Sequence, residues 1–495
     1  MKVVVFNSHL FWPPHYETEL ELISLHLDQG DDVVQVYCDA QYPNCDLNPF
    51  LKISTCLECG AFRKKGYNAV GRAFTKTPLP QLIPADAARI EALPFSFQTL
   101  EEIQEVVLDG FEIGFAVASS IICILRDPKP DFKAFEDTVR RYMIGSAGTF
   151  LSFKRWLLEN KPDRVYVFNG RLAHTKAILT ACKQTGVTCM VHERGSDKEL
   201  YYLSLNTTVH DFHYIQTEII QNWQEKEEKK REEDAERFYT KRKAGDLGFW
   251  YSFTKDQQDI LPENWNHAPK KVVIFNSSED EFASLSKEWK NELYPTQLDG
   301  IKRMASEITD DDKLHLFLRV HPNLKGVENR EKEQLYALQY KHLTVIPAES
   351  PVSTYRLMEE ADVVITFGST IGIEAAYWNK VSILAGKTLY KGLGSTYEPK
   401  SHQELIGMIR GTLPPLDKTG AKMYGNYYLK VGIPFKYYQA EDFYQGTFNG
   451  IRLIHKKTLQ SKLIEWFFGN NQFKFISSRI LHKIRSRRIQ RFLHG

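Results

Sequence analysis

The feature that most constrains this chain is a rhythm of short apolar strands and helical patterns that occurs twice along its length. Lys2–Phe6 is predicted to be a strand, Glu17–Asp28 a helix and Asp32–Tyr37 a second strand. The rhythm returns with a strand at Arg164–Phe168, a helix at Ala173–Thr185 and a strand at Thr188–His192. Strand–helix–strand alternation predicts a parallel sheet covered by helices.

A second alternating unit begins at Lys270. The predicted strands of this unit are Val272–Phe275, Leu314–Val320, Leu343–Ile346, Val363–Thr366 and Val381–Leu384, with a helix from Thr370 to Trp378. The two units together predict an α/β fold of two Rossmann-like domains. Ligands of open parallel sheets bind beyond the carboxyl ends of the strands, so we expect the domains to face each other across a central cleft that holds the site.

The length of 495 residues allows two or three domains. We expect an N-terminal acceptor domain over residues 1–262, a C-terminal donor domain over 263–420 and a C-terminal helical segment over 421–495. Residues 224–243 are dense in charge and poor in apolar positions, which is typical of a solvated helix at a domain connection. We therefore expect no functional role for that segment.

Composition excludes several classes of protein. The net charge of +2 argues against nucleic-acid binding by the chain as a whole. No apolar run approaches the roughly 20 residues that span a bilayer, and the N-terminus is predicted to be a strand rather than a signal peptide. We therefore expect a cytoplasmic protein with reduced cysteines.

Four of the seven cysteines lie close together in the sequence, at Cys38, Cys45, Cys56 and Cys59. The last two form a single C-x-x-C motif. A structural zinc site requires four thiolate or imidazole ligands in a tetrahedron, and a second C-x-x-C motif is missing. Two interpretations of these cysteines are therefore possible, namely unligated structural thiols and a zinc site. The predicted catalytic chemistry itself involves no metal.

The C-terminal tail is strongly basic, because no acidic residue follows Glu465. From Phe473 onward, basic and apolar residues alternate at a spacing compatible with a helix. A basic amphipathic helix can lie on an anionic membrane surface. The alternative is a terminal helix that packs on the protein's own surface.

The first chemical motif is Arg319-Val320-His321-Pro322-Asn323, at the predicted end of a strand. Pro322 lacks an N–H group and ends the strand ladder. His321 is then held at the carboxyl edge of the sheet, where an imidazole can stabilise the negative charge of a departing phosphate. Arg319 is predicted to contribute to the same donor site. The structural alternative for His321 is a turn residue without a ligand.

The second motif runs from Thr366 to Trp378 and joins a strand to a helix through a hydroxyl-rich loop. Ser369 or Thr370 can cap the helix, and its first N–H groups can bind a phosphate. Glu374 is placed to reach a ribose hydroxyl, or alternatively to remain a buried structural carboxylate. Ser277 and Ser278 follow the first strand of the same unit and are also predicted to contact the donor. No Gly-x-Gly-x-x-Gly motif is present there, so a dinucleotide cofactor is disfavoured, and we expect no cofactor.

The third motif, His192-Glu193-Arg194-Gly195, follows a strand of the first domain. Glu193 is a candidate general base for an acceptor hydroxyl, and a structural Glu193–Arg194 ion pair is the equal alternative. The residues predicted to contact the acceptor are His15, Glu19, Asn169, Arg171 and Arg194.

The pairing of Arg319-Val320-His321-Pro322 with Phe367-Gly368-Ser369-Thr370-Ile371-Gly372-Ile373-Glu374-Ala375 resembles the bacterial capsule polysaccharide biosynthesis proteins. The similarity extends from about Arg164 to about Glu404. These proteins are GT-B-like transferases related to Kdo transferases and, more distantly, to bacterial sialyltransferases. The resemblance implies that His321 and Ser369/Thr370 hold the phosphate of a CMP-linked donor. The sialyltransferase relatives carry an acidic pair before a glycine, whereas Arg194 takes the second acidic position in this chain.

The resemblance implies a metal-independent transferase that moves a sugar from a nucleotide-sugar donor to a surface polysaccharide or its lipid-linked precursor. Two alternatives remain. A polyol-phosphate transferase with a CDP-linked donor would use the same phosphate contacts, and a non-catalytic nucleotide- or sugar-binding scaffold would turn over no donor. Sequence motifs do not fix the sugar, the acceptor or the linkage, because these depend on loop geometry.

Overall fold

The structure is a computed structural model that describes residues 1–246, 256–327, 329–442, 444–457, 459–462 and 488–493. The chain forms two compact units. Unit 1 comprises residues 1–125, 129–210 and 431–495, and unit 2 comprises residues 126–128 and 211–430. Each unit is built around its own sheet.

The sheet of unit 1 has seven strands in the order β12-β6-β5-β4-β1-β2-β3. Its strands β1 to β5 run parallel, whereas β6 and β12 pair antiparallel at one edge. The bounds are β1 Lys2–Phe6, β2 Asp32–Tyr37, β3 Thr75–Pro78, β4 Arg164–Phe168, β5 Thr188–Arg194, β6 Leu200–Leu205 and β12 Ile433–Pro434.

Helices cover both faces of this sheet. They are α1 His15–Asp28, α2 Ile53–Val70, α3 Pro84–Glu91, α4 Leu100–Gln104, α5 Ile113–Leu125, α6 Glu136–Asn160 and α7 Ala173–Thr185. Alternate residues of β1 enter opposite cores: Val4 and Phe6 belong to one apolar cluster, and Val3 and Val5 to another. A strand buried on both faces has apolar residues at successive positions, which explains the Val-Val-Val-Phe sequence.

Unit 2 contains a five-stranded sheet in the order β11-β10-β7-β8-β9, and all of its pairings are parallel. The strands are β7 Lys270–Phe275, β8 Leu314–Arg319, β9 Leu343–Ile346, β10 Val363–Thr366 and β11 Val381–Leu384. Its helices are α8 Phe212–Glu225, α9 Glu228–Lys243, α10 Gln297–Glu307, α11 Arg330–Tyr336, α12 Thr354–Glu360, α13 Ile371–Tyr377, α14 His402–Arg410 and α15 Thr419–Leu429. The predicted α/β class, with two Rossmann-like parallel sheets, is confirmed.

The domain boundaries differ from those expected. Unit 2 begins its main segment at Asp211 rather than at residue 263, and residues 431–495 belong to unit 1 rather than to a separate segment. The difference arises because α8 and α9 pack against α15 within unit 2. The start of the second alternating pattern at Lys270 therefore marks the first strand of that unit, not its boundary.

The charge-dense segment also differs from the expected solvated connector. Helix α9 buries Asp234, Ala235 and Tyr239 within unit 2. The Tyr239 hydroxyl donates to the carbonyl of Ala421 at 2.6 Å, and the Tyr239 ring stacks on Tyr377 with centroids 4.0 Å apart. The helix is a packed element, because one face of it carries aromatic and small side chains among the charges.

The segment predicted to be helical over 421–495 contains strands as well as helix α15. After β12 come β13 Tyr438–Ala440, β14 Gly446–Phe448 and β15 Ile451–Leu453, which form a three-stranded antiparallel sheet. Glu21 of α1 anchors this region, since its carboxylate accepts hydrogen bonds from the backbone N–H groups of Lys436, Tyr437 and Tyr438. The short β-rich segment had too little apolar periodicity to be recognised as strand.

Most of the basic tail from Phe473 lies outside the described residues, but residues 488–493 are described and are helical. Phe492 and Leu493 are 8% and 5% exposed and belong to a core cluster of unit 1. The Phe492 ring contacts Tyr42 edge-on. These two apolar side chains pack on the protein itself, so the self-packing alternative describes this part of the tail. Among the described residues, no helix is both long and apolar enough to cross a membrane.

We expect Phe492→Ala to lower the free energy of unfolding by about 3 kcal/mol, because it removes a buried ring and leaves a cavity. Chemical denaturation of the full chain measures this change. Gln490→Ala, which alters an exposed residue of the same turn, is the matched control and should leave the midpoint unchanged. Equal midpoints for both variants would show that the C-terminal segment does not dock on unit 1.

Candidate functional site

A cavity of about 110 Å³ lies at the carboxyl ends of the central strands of unit 2. We call it the unit 2 cavity. Strands β7 and β8 are neighbours in the sheet and end at Phe275 and Arg319, and the loop after β10 supplies the opposite wall. The side chains and backbone around it belong to Arg242, Phe275, Asn276, Arg319, His321, Pro322, Thr354, Tyr355, Ser369, Thr370, Ile371 and Glu374.

His321 is held in one orientation by the turn that contains it. Its backbone N–H donates to Asn276 Oδ1 at 2.8 Å, and its Nδ1 accepts from the backbone N–H of Asn323 at 3.1 Å. Burial, reinforced by the nearby charges of Arg319 and Arg126, lowers the pKa of His321 to about 4. The imidazole is therefore neutral at pH 7 and carries its proton on Nε2, the tautomer that donates a hydrogen bond.

Arg319 places a positive charge beside this imidazole. Only 1% of the residue is exposed, and its two terminal nitrogens donate to the carbonyl oxygens of Pro347 and Ser350. Burial lowers the pKa of its guanidinium to about 10, which still leaves it charged at pH 7. Its Nε is buried and has no hydrogen-bond partner among the described residues. Because its partners are neutral carbonyls, the charge of Arg319 favours an anion in this cavity.

Ser369 and Thr370 line the cavity, as their predicted role requires, but neither makes a standard helix cap. Thr370 occupies the N-cap position without a side-chain capping bond, and its Oγ1 accepts from Arg242 Nη2 at 2.9 Å. Ser369 Oγ lies 3.4 Å from the backbone nitrogen of Ile371. Helix α13 has only seven residues. The main polar groups of this wall are therefore the two hydroxyls and the neighbouring cations, not the N-terminus of the helix.

Glu374 is a structural carboxylate within the wall. It is 1% exposed, and its two oxygens accept hydrogen bonds from Arg242 Nε at 2.9 Å and from the Tyr355 hydroxyl at 2.6 Å. This arrangement matches the buried alternative for Glu374. Since Glu374 balances Arg242 and the hydrogen-bond partners of Arg319 are peptide carbonyls, the charge of Arg319 can attract an anionic ligand.

Ser277 and Ser278 do not line the cavity. The backbone N–H of Ser277 donates to Gln297 Oε1 at 2.7 Å, and Ser278 Oγ accepts from Asn323 Nδ2 at 3.1 Å. Both serines hold the loop after β7 in place. Their predicted contact with the donor stays a prediction.

The sequence interpretation missed Arg242 and Tyr355. Arg242 lies in the charge-dense segment, where it was treated as a solvated charge. The signal was present, because Ala235, Tyr239 and Arg242 recur at helical spacing on the packed face of α9. Tyr355 carries no recognisable motif, and only the fold brings it to the cavity, whereas Asn276 lies in the polar turn after β7 that the sequence marks as a ligand-facing loop.

In unit 1, the predicted base Glu193 lies in β5, which extends two residues beyond its predicted end. Its Oε2 accepts from Asn169 Nδ2 at 2.8 Å, and its Oε1 lies 3.3 Å from His15 Nε2 and 3.0 Å from the backbone nitrogen of Arg194. Burial raises the pKa of Glu193, while Asn169 and the nearby charges of Arg194 and Arg171 oppose the increase. The side chain keeps 22% exposure, so this carboxyl is accessible.

The predicted acceptor residues are only partly assembled around Glu193. Asn169 and His15 contact it directly, and Arg171 is close enough for its charge to act on it. Arg194 donates through Nη2 to the carbonyl of Pro13. Glu19 lies in the interior at 0% exposure, accepts from Asn7 Nδ2, and has its pKa raised to about 8 by burial. Glu19 therefore serves the packing of α1 rather than a surface contact.

The four neighbouring cysteines, Cys38, Cys45, Cys56 and Cys59, are free thiols that line a second cavity, in unit 1. Burial raises the pKa of Cys38 to about 11 and that of Cys59 to about 12, which favours the protonated thiols. In the part of the chain that the structure describes, no group of three or more His, Cys, Asp or Glu side chains is arranged to hold a metal ion.

Residues 293–406 match a protein family described as "Capsule polysaccharide biosynthesis protein". The matched range contains Arg319, His321, Ser369, Thr370 and Glu374, so it covers much of the wall of the unit 2 cavity. The resemblance in the motifs is confirmed over this range. In a comparison with curated proteins, no sequence matches the chain.

Several solved structures are similar in part. The Thermosulfurimonas dismutans KpsC beta Kdo 2,4 transferase is 12% identical, covers 54% of this chain and 79% of its own, and has a TM-score of 0.37. The corresponding beta Kdo 2,7 transferase is 13% identical over 56% of this chain and 79% of its own, with a TM-score of 0.35. A UDP-GlcNAc 2-epimerase from Methanocaldococcus jannaschii is 13% identical over 86% and 98%, with a TM-score of 0.25. Scores this low leave the activity of the chain to be argued from its own residues.

We expect Arg242→Ala to lower the free energy of unfolding by about 3 kcal/mol, because it leaves the Glu374 carboxylate buried without its cation. The double variant Arg242→Met with Glu374→Gln should recover much of the loss, since it removes both charges and keeps similar volumes. Chemical denaturation of the two variants and the wild type makes the comparison. Similar losses in both variants would mean that packing of α9, rather than the ion pair, determines the effect.

Proposed function

We propose that this protein is a glycosyltransferase that takes a sugar from a nucleotide-activated donor, CMP-linked in the leading version, and adds it to a surface or capsular polysaccharide or its lipid-linked precursor. The observation that carries the proposal is the pairing of a buried Arg319 with the neutral Nε2–H donor of His321 at the carboxyl edge of a parallel sheet. The family match over residues 293–406 supports the polysaccharide context.

In the proposed reaction, unit 2 binds the donor phosphate and stabilises the leaving group. The bond between the anomeric carbon and the phosphate oxygen breaks, and its electron pair leaves with the nucleotide. His321 Nε2–H and the Arg319 guanidinium interact with the developing phosphate charge, and Ser369 and Thr370 supply hydroxyl contacts. Preorganised donors of this kind contribute about 10²–10³ in rate each.

Unit 1 activates the acceptor in this proposal. Glu193 accepts the proton of an acceptor hydroxyl while that oxygen forms its bond to the anomeric carbon. Its raised pKa makes it a stronger base than an ordinary surface carboxylate, and Asn169 and His15 hold it in position. His15 is itself neutral, because burial and the neighbouring Arg194 lower its pKa.

Two related functions fit part of the same geometry. A polyol-phosphate transferase with a CDP-linked donor would use the unit 2 cavity in the same way. A non-catalytic scaffold would bind the nucleotide without releasing it from the sugar. The proposal also places the protein in the cytoplasm, with any membrane contact made by the basic tail.

Nucleotide binding tests the donor site directly. A thermal-shift series with CMP, CDP, UDP and GDP should raise the unfolding midpoint with CMP most strongly, because a ligand of the native state stabilises it by mass action, by about 2.7 kcal/mol at one hundred times Kd. A larger shift with CDP would favour the polyol-phosphate transferase. If no nucleotide shifts the midpoint, the donor-site proposal is wrong.

We expect His321→Ala to reduce donor turnover about 10²–10³-fold while the unfolding midpoint stays close to that of the wild type. Nucleotide release from the donor in the presence of acceptor measures the rate. His267→Ala changes an exposed histidine of the same unit and should leave turnover unchanged. Full activity of the His321 variant would show that this residue only stabilises the turn and takes no part in transfer.

We expect Glu193→Gln to abolish transfer while nucleotide affinity stays at the wild-type value, because the substitution removes the base and keeps the contacts with Asn169. Transfer assays and nucleotide calorimetry on the same preparation separate the two effects. Glu159→Gln, an exposed change in α6, is the control. Activity within a few-fold of the wild type would exclude Glu193 as the base and favour a purely structural role.

A further inference from the structure

A cavity of about 570 Å³ lies in unit 1 at the carboxyl ends of β1 and β2. We call it the unit 1 cavity. Its volume falls within the range of about 300–1,000 Å³ that is typical of small-ligand sites. Three segments form most of its wall, namely residues 6–11 after β1, residues 37–51 at and after the end of β2, and residues 53–63 of α2. Arg488 of the C-terminal tail also lines it.

Most of the surface exposed to this cavity is apolar. The aliphatic and aromatic side chains of its wall include Leu10, Phe11, Leu47, Leu51, Ile53 and Leu57. Leu57 is 39% exposed, so the apolar lining continues to the protein surface. Phe50, which precedes Leu51, is 60% exposed. An open apolar cavity of this kind is stabilised by a ligand that covers it with apolar atoms of its own.

Four thiols add to the apolar character of the wall. They are Cys38, Cys45, Cys56 and Cys59. Burial raises the pKa of Cys45 as it does those of Cys38 and Cys59, so these three thiols are protonated and uncharged at pH 7. A protonated cysteine behaves as a small apolar side chain. The wall is therefore an apolar surface with a few charged groups.

Two guanidinium groups lie against this wall. Arg63 Nη1 donates to the carbonyl oxygen of Cys38 at 2.8 Å, and the guanidinium carbon lies 4.4 Å from the centroid of the Tyr37 ring. Arg488 Nη2 donates to Cys56 Sγ at 3.6 Å. Cys38 and Cys56 are close enough to influence each other's ionisation, so both cations belong to the same part of the wall. Among the described residues, neither guanidinium forms an ion pair with a carboxylate.

The carboxyl groups near these cations do not neutralise them. Asp46 is buried, and its Oδ2 lies 3.1 Å from His9 Nε2. Asp39 is exposed, so water and salt screen its charge. Glu19 is close enough to Arg63 for the two charges to interact, but burial raises the pKa of Glu19 to about 8 and keeps it protonated at pH 7. The two guanidinium groups can therefore take their counterion from a ligand.

We propose that the unit 1 cavity binds a single-chain amphiphile, with its alkyl chain against the apolar wall and its anionic head group at Arg63 and Arg488. The chain buries apolar surface, and the head group forms charge-assisted hydrogen bonds with the guanidinium groups. A saccharide or a nucleotide would place polar groups against the apolar lining. Both arginines would repel a cationic head group. This inference goes beyond the proposed transfer reaction and does not depend on the donor site in unit 2.

Calorimetry on the full chain tests the site with four probes of equal chain length, each kept below its micelle concentration. They are dodecanoate, dodecyl phosphate, dodecyl maltoside and dodecyltrimethylammonium. At least one anionic probe should bind one molecule per chain, at least tenfold more tightly than the neutral and cationic probes. Tighter binding of dodecanoate identifies a fatty acid as the source of the ligand, and tighter binding of dodecyl phosphate identifies a lipid phosphate.

The length of the chain tests the apolar part of the site. Shortening the tighter anionic probe by two CH₂ groups should weaken its binding about fifteenfold, since each CH₂ group contributes about 0.8 kcal/mol. Equal affinity of the two probes would show that the alkyl chain stays outside the cavity, which overturns the proposal.

Substitution of the arginines tests the head-group site. Arg63→Gln and Arg488→Gln should each weaken binding of the anionic probe about tenfold, which corresponds to about 1.4 kcal/mol. Lys64→Gln is the matched control, because Lys64 is an exposed cation beside Arg63 that lies outside the cavity wall, and it should bind as the wild type does. Unfolding midpoints show whether each variant is folded, and either arginine variant is a sufficient test if the other does not fold.

Alkylation by N-ethylmaleimide locates the bound probe without any substitution. A saturating anionic probe should slow alkylation of Cys38, Cys45, Cys56 and Cys59, as measured by peptide mass spectrometry, whereas Cys123 lies outside the wall and should react at an unchanged rate. The proposal is overturned if no anionic probe binds, if a neutral or cationic probe binds as tightly, if the folded arginine variants bind as the wild type does, or if a bound probe leaves the four thiols reacting as before.

Discussion

Parallel pairing of short apolar strands is the constraint on which the rest of this structure depends. A central parallel strand is buried on both faces, so successive residues of β1 and β7 enter different cores. Most buried positions of these strands are then apolar, and the polar groups of the site lie near the strand ends. Because all carboxyl ends of a parallel sheet lie along one edge, the loops after β7, β8 and β10 meet around a single cavity.

The charges in that cavity follow from its burial. A buried guanidinium or carboxylate is stable only with partners, and Glu374 obtains two of them, from Arg242 and Tyr355. Arg319 obtains peptide carbonyls, which accept hydrogen bonds from its two terminal nitrogens but leave its charge in place. The same burial keeps His321 neutral, so the cavity combines a fixed cation with a neutral hydrogen-bond donor. An anion is the complement of that combination.

The elements that the sequence predicts well are those determined by local pattern. Three strands have the predicted bounds: Lys2–Phe6, Arg164–Phe168 and Val363–Thr366. An apolar run that is followed by a polar or small residue determines closely where a buried strand begins and ends. His321, Ser369 and Thr370 could be placed near one another because each follows a strand of the same parallel sheet.

The predictions that differ from the structure depend on packing between distant segments. Arg242 is about 130 positions from Glu374 in the chain, and no local pattern indicates that the two side chains meet. The unit boundary at Asp211 likewise depends on α15, which follows almost the whole of unit 2. The short strands after residue 430 are held by Glu21 of α1, so their structure also requires a contact across most of the sequence.

The unit 2 cavity retains a polar atom that the fold itself does not satisfy, and this is a cost in stability. The buried Nε of Arg319 has no hydrogen-bond partner among the described residues and opposes folding, since water would satisfy it in the unfolded chain. It lies at the carboxyl end of a parallel sheet, where loops can vary without disturbing the strands and where a bound ligand can satisfy such a group. Unpaired polar atoms also occur elsewhere among the described residues, so the unpaired atom alone does not indicate a ligand. The position of Arg319 beside His321, in one cavity with the hydroxyls of Ser369 and Thr370, is what points to an anion.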